Sequence, residues 1–282
     1  MNKQITLNNN IKIPAIGYGV FRITDPKECE EAVLLALQAG YRFIDTAAAY
    51  GNEEAVGRAI ARSGIDRKEL FISSKLWIPD ISYEKAKKGF EASLQRLGLD
   101  YIDLFIIHQP YHDYYGAWKA LSEIYQSGKI KALGLDNFTQ ERMADFLYWN
   151  DIKPAINFLE CNALFQREDE LSYLNTKNIQ MLAWSPLSAG KHNIFHNPTL
   201  LSIANHHNKS VAQIILRWLS QRNIIPVVKS TNPNRMKENL DIFNFNLNED
   251  EMLEISKLDT HHSCFHERNT AKSVEDFFEK SL

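Results

Sequence analysis

Cysteine is scarce in this 282-residue chain: Cys29, Cys161 and Cys264 are odd in number and far apart. They build neither a disulfide framework nor a CxxC or zinc-ligand pattern, so a reducing, cytoplasmic setting is the expectation. Long apolar runs are missing too. None approaches the ~20 residues that span a bilayer, and residues 1–4 open no signal-type hydrophobic segment, so no membrane partner is expected. Positive charge is not in excess: 32 Lys and Arg face 35 Asp and Glu, a net charge of −3. Without a basic stripe the chain offers no nucleic-acid surface. GxGxxG and GxxxxGK[ST] are also absent, which speaks against an open doubly wound sheet with its phosphate loop.

What the chain does have is a repeated strand–helix rhythm. Strands are expected over 15–19, 42–45, 70–76, 102–108, 130–135, 155–159, 179–183 and 224–228, each followed by a helix. The helix near 26–38 has Asp25 before Pro26 as its N-cap, and the helix near 83–97 has Ser82. The strands are continuous apolar runs, clearest in Leu104-Phe105-Ile106-Ile107, as suits a parallel sheet buried on both faces. Eight such units without a linker predict a single domain over 1–282. The fold class is α/β, a closed (β/α)8 TIM barrel. Polar–apolar alternation over 4–7 and 11–13, around Asn8-Asn9-Asn10, predicts an N-terminal β-hairpin. An added helix is expected near 248–256. The tail 259–282, with His261, His262, His266, Phe277 and Phe278, reads as a flap or packed segment over the barrel.

Barrels of this kind carry their reactive groups at the C-terminal strand ends. Strand two ends in Asp45, with Tyr50 in its loop; strand three supplies Lys75; strand four supplies His108. Taken singly, Asp45 reads as a loop cap, Lys75 as a rim lysine and His108 as a hydrogen-bonded core histidine. Together they place an acid, a phenol, an amine and an imidazole on one rim. A phenol of pKa ~10 is a weak acid at neutral pH, and a nearby ammonium lowers that value. Lys75 can play that part if Asp45 is its counter-ion, leaving His108 to aim an N–H at a substrate oxygen. A tuned proton donor beside an electrophile suits carbonyl reduction, with the hydride brought by a cofactor. A metal-assisted hydrolase or isomerase using Asp45, His108 and Glu160 is the rival enzyme. It lacks a second rim histidine, and a charged Lys75 would repel the ion. No metal is expected. A non-catalytic nucleotide-binding module is the third reading, since fold alone does not imply function.

The ordered set Gly40-Tyr41-Arg42-Phe43-Ile44-Asp45-Thr46-Ala47-Ala48-Ala49-Tyr50-Gly51-Asn52-Glu53, Ser74-Lys75-Leu76-Trp77 and Asp100 through His108 resembles the aldo-keto reductase family. So do Ala183-Trp184-Ser185-Pro186-Leu187 and the stretch Ile225-Pro226 through Lys229-Ser230 to Arg235 and Glu238-Asn239. The resemblance runs over nearly the whole chain. It implies an NADP(H)-dependent reductase of small aldehydes or ketones, acting as a monomer. Tyr50 would be the general acid, Lys75 and Asp45 would tune it, and His108 would orient the carbonyl. It also implies that Trp184 stacks on the nicotinamide, with Ser185 and Leu187 along the pyrophosphate. Lys229, Ser230 and Arg235 would hold the 2′-phosphate, and Glu238 and Asn239 the adenine. The two cations also stand beside a helix start, where N–H groups and the dipole favour an anion.

Three positions depart from the family pattern. Asp136-Asn137 stands where Ser-Asn is common, Phe158 where Gln is common, and Gln109 where Trp often precedes Pro110. Phe158 offers the nicotinamide carboxamide no hydrogen bond, and an ionised Asp136 only accepts. The ring would then be held by Trp184 and Asn137, and cofactor binding is expected to be weaker than the family norm or differently oriented. Phe21, Trp77, His108 and the more polar Gln109 are the expected substrate-binding residues, with Cys264, Phe265 and His266 of the tail as further wall.

Overall fold

Alternation of side-chain direction explains the centre of the molecule, which a computed structural model describes over residues 3–265, 267 and 270–281. Eight parallel strands close into a barrel. They are β3 (Gly17–Gly19), β4 (Phe43–Asp45), β5 (Phe71–Leu76), β6 (Ile102–Ile107), β7 (Ile130–Asp136), β8 (Ile156–Glu160), β9 (Gln180–Trp184) and β10 (Ile225–Val228). In a strand, successive side chains point to opposite faces. Phe43, Phe71, Leu104, Ile106, Ile156, Phe158, Leu182, Ile225 and Val227 therefore fill the lumen. Ile44, Ile72, Phe105 and Ile107 pack outward against the helices. The same parity decides the chemistry: Asp45 lies two residues after lumenal Phe43, Lys75 four after Phe71, and His108 two after Ile106. Register puts Asp45 beside Ser73 and Lys75 beside Ile106.

The hairpin β1 (Gln4–Thr6) and β2 (Lys12–Pro14) forms as expected and plugs the N-terminal mouth. Leu7 and Ile13 join the lumenal cluster, and Asn8 and Asn9 donate side-chain hydrogen bonds to the carbonyls of Pro154 and Lys131. With that end stoppered, the C-terminal mouth is the open one.

Helices alternate with the strands. They are α1 (Pro26–Ala39), α2 (Glu53–Arg62), α3 (Tyr83–Leu97), α4 (Tyr114–Gln126), α5 (Gln140–Trp149) and α6 (Glu168–Thr176), then α8 (Val211–Gln221) and α9 (Pro233–Leu240), with α7 (Pro198–His207) inserted before α8. Asp25 caps α1 through Glu28 N, as expected. Ser82 holds the N-cap position of α3 but its side chain makes no capping bond. No element was expected between β9 and α8, yet α7 forms there. Asn197 accepts from Leu200 N, Pro198 follows it, and Asn208 ends the helix in the left-handed region, which are ordinary start and stop signals. The helix expected near 248–256 is α10 (Glu249–Ser256), and the tail ends in α11 (Ala271–Ser281). Residue His266 lies outside the described residues. Among the described residues no helix is long and apolar enough to cross a membrane.

Candidate active site

A cavity of about 2190 Å³ opens at the C-terminal mouth, and Asp45, Tyr50 and His108 line it. Lys75 lies beneath, fully buried. Its Nζ donates to Asp45 Oδ2 at 2.6 Å and Oδ1 at 2.8 Å, to the Thr46 carbonyl at 3.1 Å and to the Tyr50 hydroxyl at 3.3 Å. The ammonium also lies 5.0 Å from the Tyr50 ring centroid and 5.1 Å from that of Phe158. Ser73, which shares the lumenal side of β5 with Lys75, donates to Asp45 Oδ1 at 2.6 Å. Ser73 was not expected in the site, although its place two residues before Lys75 was the available signal.

Burial is the largest influence on Lys75 and works against its charge, but Asp45, then Tyr50 and Asp136, outweigh it, so its pKa lies above the ordinary lysine value. The amine is an ammonium at neutral pH. Tyr50 differs from the expectation. Burial pushes its pKa above the ordinary phenol value, Lys75 pulls it down, and Asp45 and Asp136 push it up again. The net direction is upward, because two carboxylates and a dry cavity outweigh one ammonium. Tyr50 thus holds its proton at neutral pH.

His108 is 8% exposed and its Nε2 lies 3.8 Å from Asp136 Oδ2. Trp77 meets its ring edge-on at 4.9 Å, Tyr50 at 5.6 Å, and Phe21 packs on Tyr50 at 4.9 Å. The expected substrate-facing set Phe21, Trp77, His108 and Gln109 therefore lines one wall. Phe277 of α11 adds to it, 6.2 Å from Trp77.

Asp136, Asn137, Trp184, Ser185, Leu187, Lys229, Ser230, Arg235, Glu238 and Asn239 line the same cavity. Ten positions scattered over a hundred residues thus become one continuous lining. Asn137 Oδ1 accepts from Trp184 Nε1 at 3.1 Å, and its amide lies 3.5 Å from the His108 carbonyl. Trp184 is held by a bond that only an indole N–H or similar donor makes, and Asn137 is largely committed to it. At the far end Lys229 and Arg235 are exposed, and no ion pair involves either among the described residues. The start of α9 is less open than expected. Asn232 Oδ1 already accepts from Asn234 N and Arg235 N, and Pro233 has no N–H to give. Attraction for an anion there rests on the two side chains and the helix dipole.

A model of the Aldo/keto reductase family matches residues 15–260. The chain belongs to the aldo/keto reductase family. An uncharacterized oxidoreductase, YtbE, of Bacillus subtilis is 44% identical over 92% of this chain and 93% of its own. A glyoxal reductase of the same organism is 43% identical over 90% and 92%. A solved aldo-keto reductase from Bombyx mori, in complex with NADP, superimposes with a TM-score of 0.91 at 32% identity, covering 98% of this chain and 97% of that one.

In this aldo/keto reductase Glu160 has a task that no motif announced. Its Oε2 accepts from Ser263 Oγ at 2.5 Å and its Oε1 from Cys264 N at 2.9 Å. It thereby pins the tail across the mouth, which brings Phe265 to 5.6 Å from Trp184. The carboxylate is turned to the tail, away from the ligand role considered for it. Only the folded tail reveals this, since the two ends of the contact lie about a hundred residues apart.

Proposed function

We propose that this chain is an NADP(H)-dependent reductase of small aldehydes and ketones, acting as one barrel domain with Tyr50, Lys75, Asp45 and His108 as its catalytic set. The observation that carries the reading is the Lys75 ammonium, buried between the Asp45 carboxylate and the Tyr50 hydroxyl on the cavity floor. The residues present fit the cofactor. Two unpaired cations stand at one end of a long cavity, and a half-buried indole fixed by Asn137 stands near the reactive groups. Lys229 and Arg235 would hold a phosphate, and Trp184 would stack on a flat ring. When bound, NADPH supplies the hydride. The chain's own residues do the rest. His108, with Asp136 favouring a proton on its near nitrogen, orients the carbonyl oxygen. Tyr50 gives that oxygen a proton as negative charge grows on it. The phenolate left behind is stabilised by Lys75, which Asp45 and Ser73 hold in place. The aromatic wall of Phe21, Trp77 and Phe277 suits carbonyl compounds with an apolar body.

The test is loss of NADPH absorbance with a panel of aldehydes and ketones, with and without a chelator. Turnover indifferent to chelator supports the proposal. Tight NADPH binding with no turnover on any carbonyl refutes the catalytic reading, and chelator-sensitive hydrolysis refutes it in favour of metal chemistry.

A further inference from the structure

On the outside of the barrel, α7 ends in two adjacent histidines that both turn to one acid of α10. His206 Nδ1 lies 2.7 Å from Glu251 Oε1, and His207 Nε2 lies 2.9 Å from both Glu251 oxygens. The donor atoms all fall within 4.8 Å of one another. A tetrahedral site with metal–ligand bonds of 2.0–2.1 Å has edges of about 3.3 Å, so small side-chain rotations suffice. Two of the three groups are already set. Glu251 is buried, and its Oε2 accepts from Asn248 N in a capping box. His207 is half-buried with its ring 5.2 Å from Phe245. Fixed donors of this sort are what a metal site needs from its surroundings.

A second observation is independent of that geometry. The groove beside the cluster, about 520 Å³, is lined by His206, Asp250, Glu251 and Glu254, and no lysine or arginine lines it. Three carboxylates with no cationic side chain among them favour a positive ion. The C-terminal end of α7, where the helix dipole is negative, adds to this.

We propose that His206, His207 and Glu251 form a site for one divalent transition-metal ion of the zinc class, with water completing its coordination. Two imidazoles and one carboxylate prefer Zn²⁺, Ni²⁺ or Cu²⁺ to Ca²⁺ or Mg²⁺, which want oxygen alone. The ion cross-links α7 to α10. The opposite face of α7, at Leu201, Ala204 and Asn205, lines the large cavity, so the link braces a wall of the candidate active site without touching the reacting groups.

The experiment is titration of the untagged full chain with ZnCl2 at about pH 8, where free imidazoles are neutral, read by calorimetry and thermal melting. The expected result is saturable binding of one ion per chain, with Tm raised by roughly 5 °C at a hundredfold excess over Kd. MgCl2 and CaCl2 should give no shift. Glu251→Gln retains a capping-box side chain and should weaken zinc at least tenfold with Tm unchanged in chelator. His206→Gln, on an exposed position, should do the same. A His261→Gln/His262→Gln double variant, which removes the other histidine pair, should bind as wild type. No saturable uptake, or uptake that Glu251→Gln and His206→Gln leave unchanged, overturns the proposal.

Discussion

Replacing Tyr50 by Phe removes one oxygen and nothing else, and the geometry of Lys75 predicts how its two consequences separate. The ammonium has three protons and four acceptors: Asp45 Oδ2, Asp45 Oδ1, the Thr46 carbonyl and the Tyr50 hydroxyl, at 2.6, 2.8, 3.1 and 3.3 Å. The phenol is the longest of these. Without it three acceptors remain for three protons, so the charge stays satisfied. The stability cost should be about 1 kcal/mol or less, a Tm change of about 2–4 °C. Loss of a general acid costs about 10²–10⁴-fold in rate, equivalent to about 3–5 kcal/mol of barrier. The variant should therefore melt almost like wild type, bind NADPH with similar affinity and reduce carbonyls at least a hundredfold more slowly. Melting, cofactor titration and steady-state kinetics on one preparation decide it. A Tyr50→Phe protein that keeps more than about a tenth of the wild-type kcat would refute Tyr50 as the proton donor, since no acid–base step of that size would be missing.

Four further outcomes follow from particular contacts. Because burial raises the Tyr50 pKa above the ordinary phenol value, the phenol stays protonated up to at least about pH 10. On its account kcat/KM for reduction should be flat from neutral to about that pH, while alcohol oxidation, which needs the phenolate, should rise with pH. A reduction limb falling near about pH 8 would contradict this. Phe158→Gln places an amide in the lumen beside the candidate nicotinamide site and should tighten NADPH by roughly threefold to tenfold, the net worth of one hydrogen bond; equal or weaker affinity in fluorescence titration counts against the role given to Phe158. Arg235→Ala should weaken NADPH by about tenfold or more and leave NADH unchanged, as loss of a charge-assisted bond to a phosphate requires, and a parallel titration of both nucleotides reads it. In Gly57→Ala the new methyl would lie 2.4 Å from the Leu97 carbonyl oxygen, so α2 and α3 must part, at about 1–3 kcal/mol; an unchanged Tm would show that they approach less closely.

Local pattern was enough to read the barrel and its reactive rim. Apolar strand runs at regular spacing leave few closures open, and the two-residue period alone puts Asp45, Lys75 and His108 on the lumenal side. Other features needed the folded chain, because they depend on groups distant in sequence. α7 carries few buried side chains, Leu200, Ile203 and Ala204 among them, so its periodicity is faint and only its caps betray it. The pairing of Glu160 with Ser263 and Cys264 joins segments whose sequences say nothing of each other. The direction of the Tyr50 shift is the sharpest case. A lysine near a tyrosine argues for a lowered pKa, but the sign depends on how dry the cavity is and on where Asp45 and Asp136 lie. Residue types and spacing thus determined which groups meet at the mouth. Tertiary packing decided their charge states and what covers them, because desolvation and long-range contact belong to the assembled barrel alone.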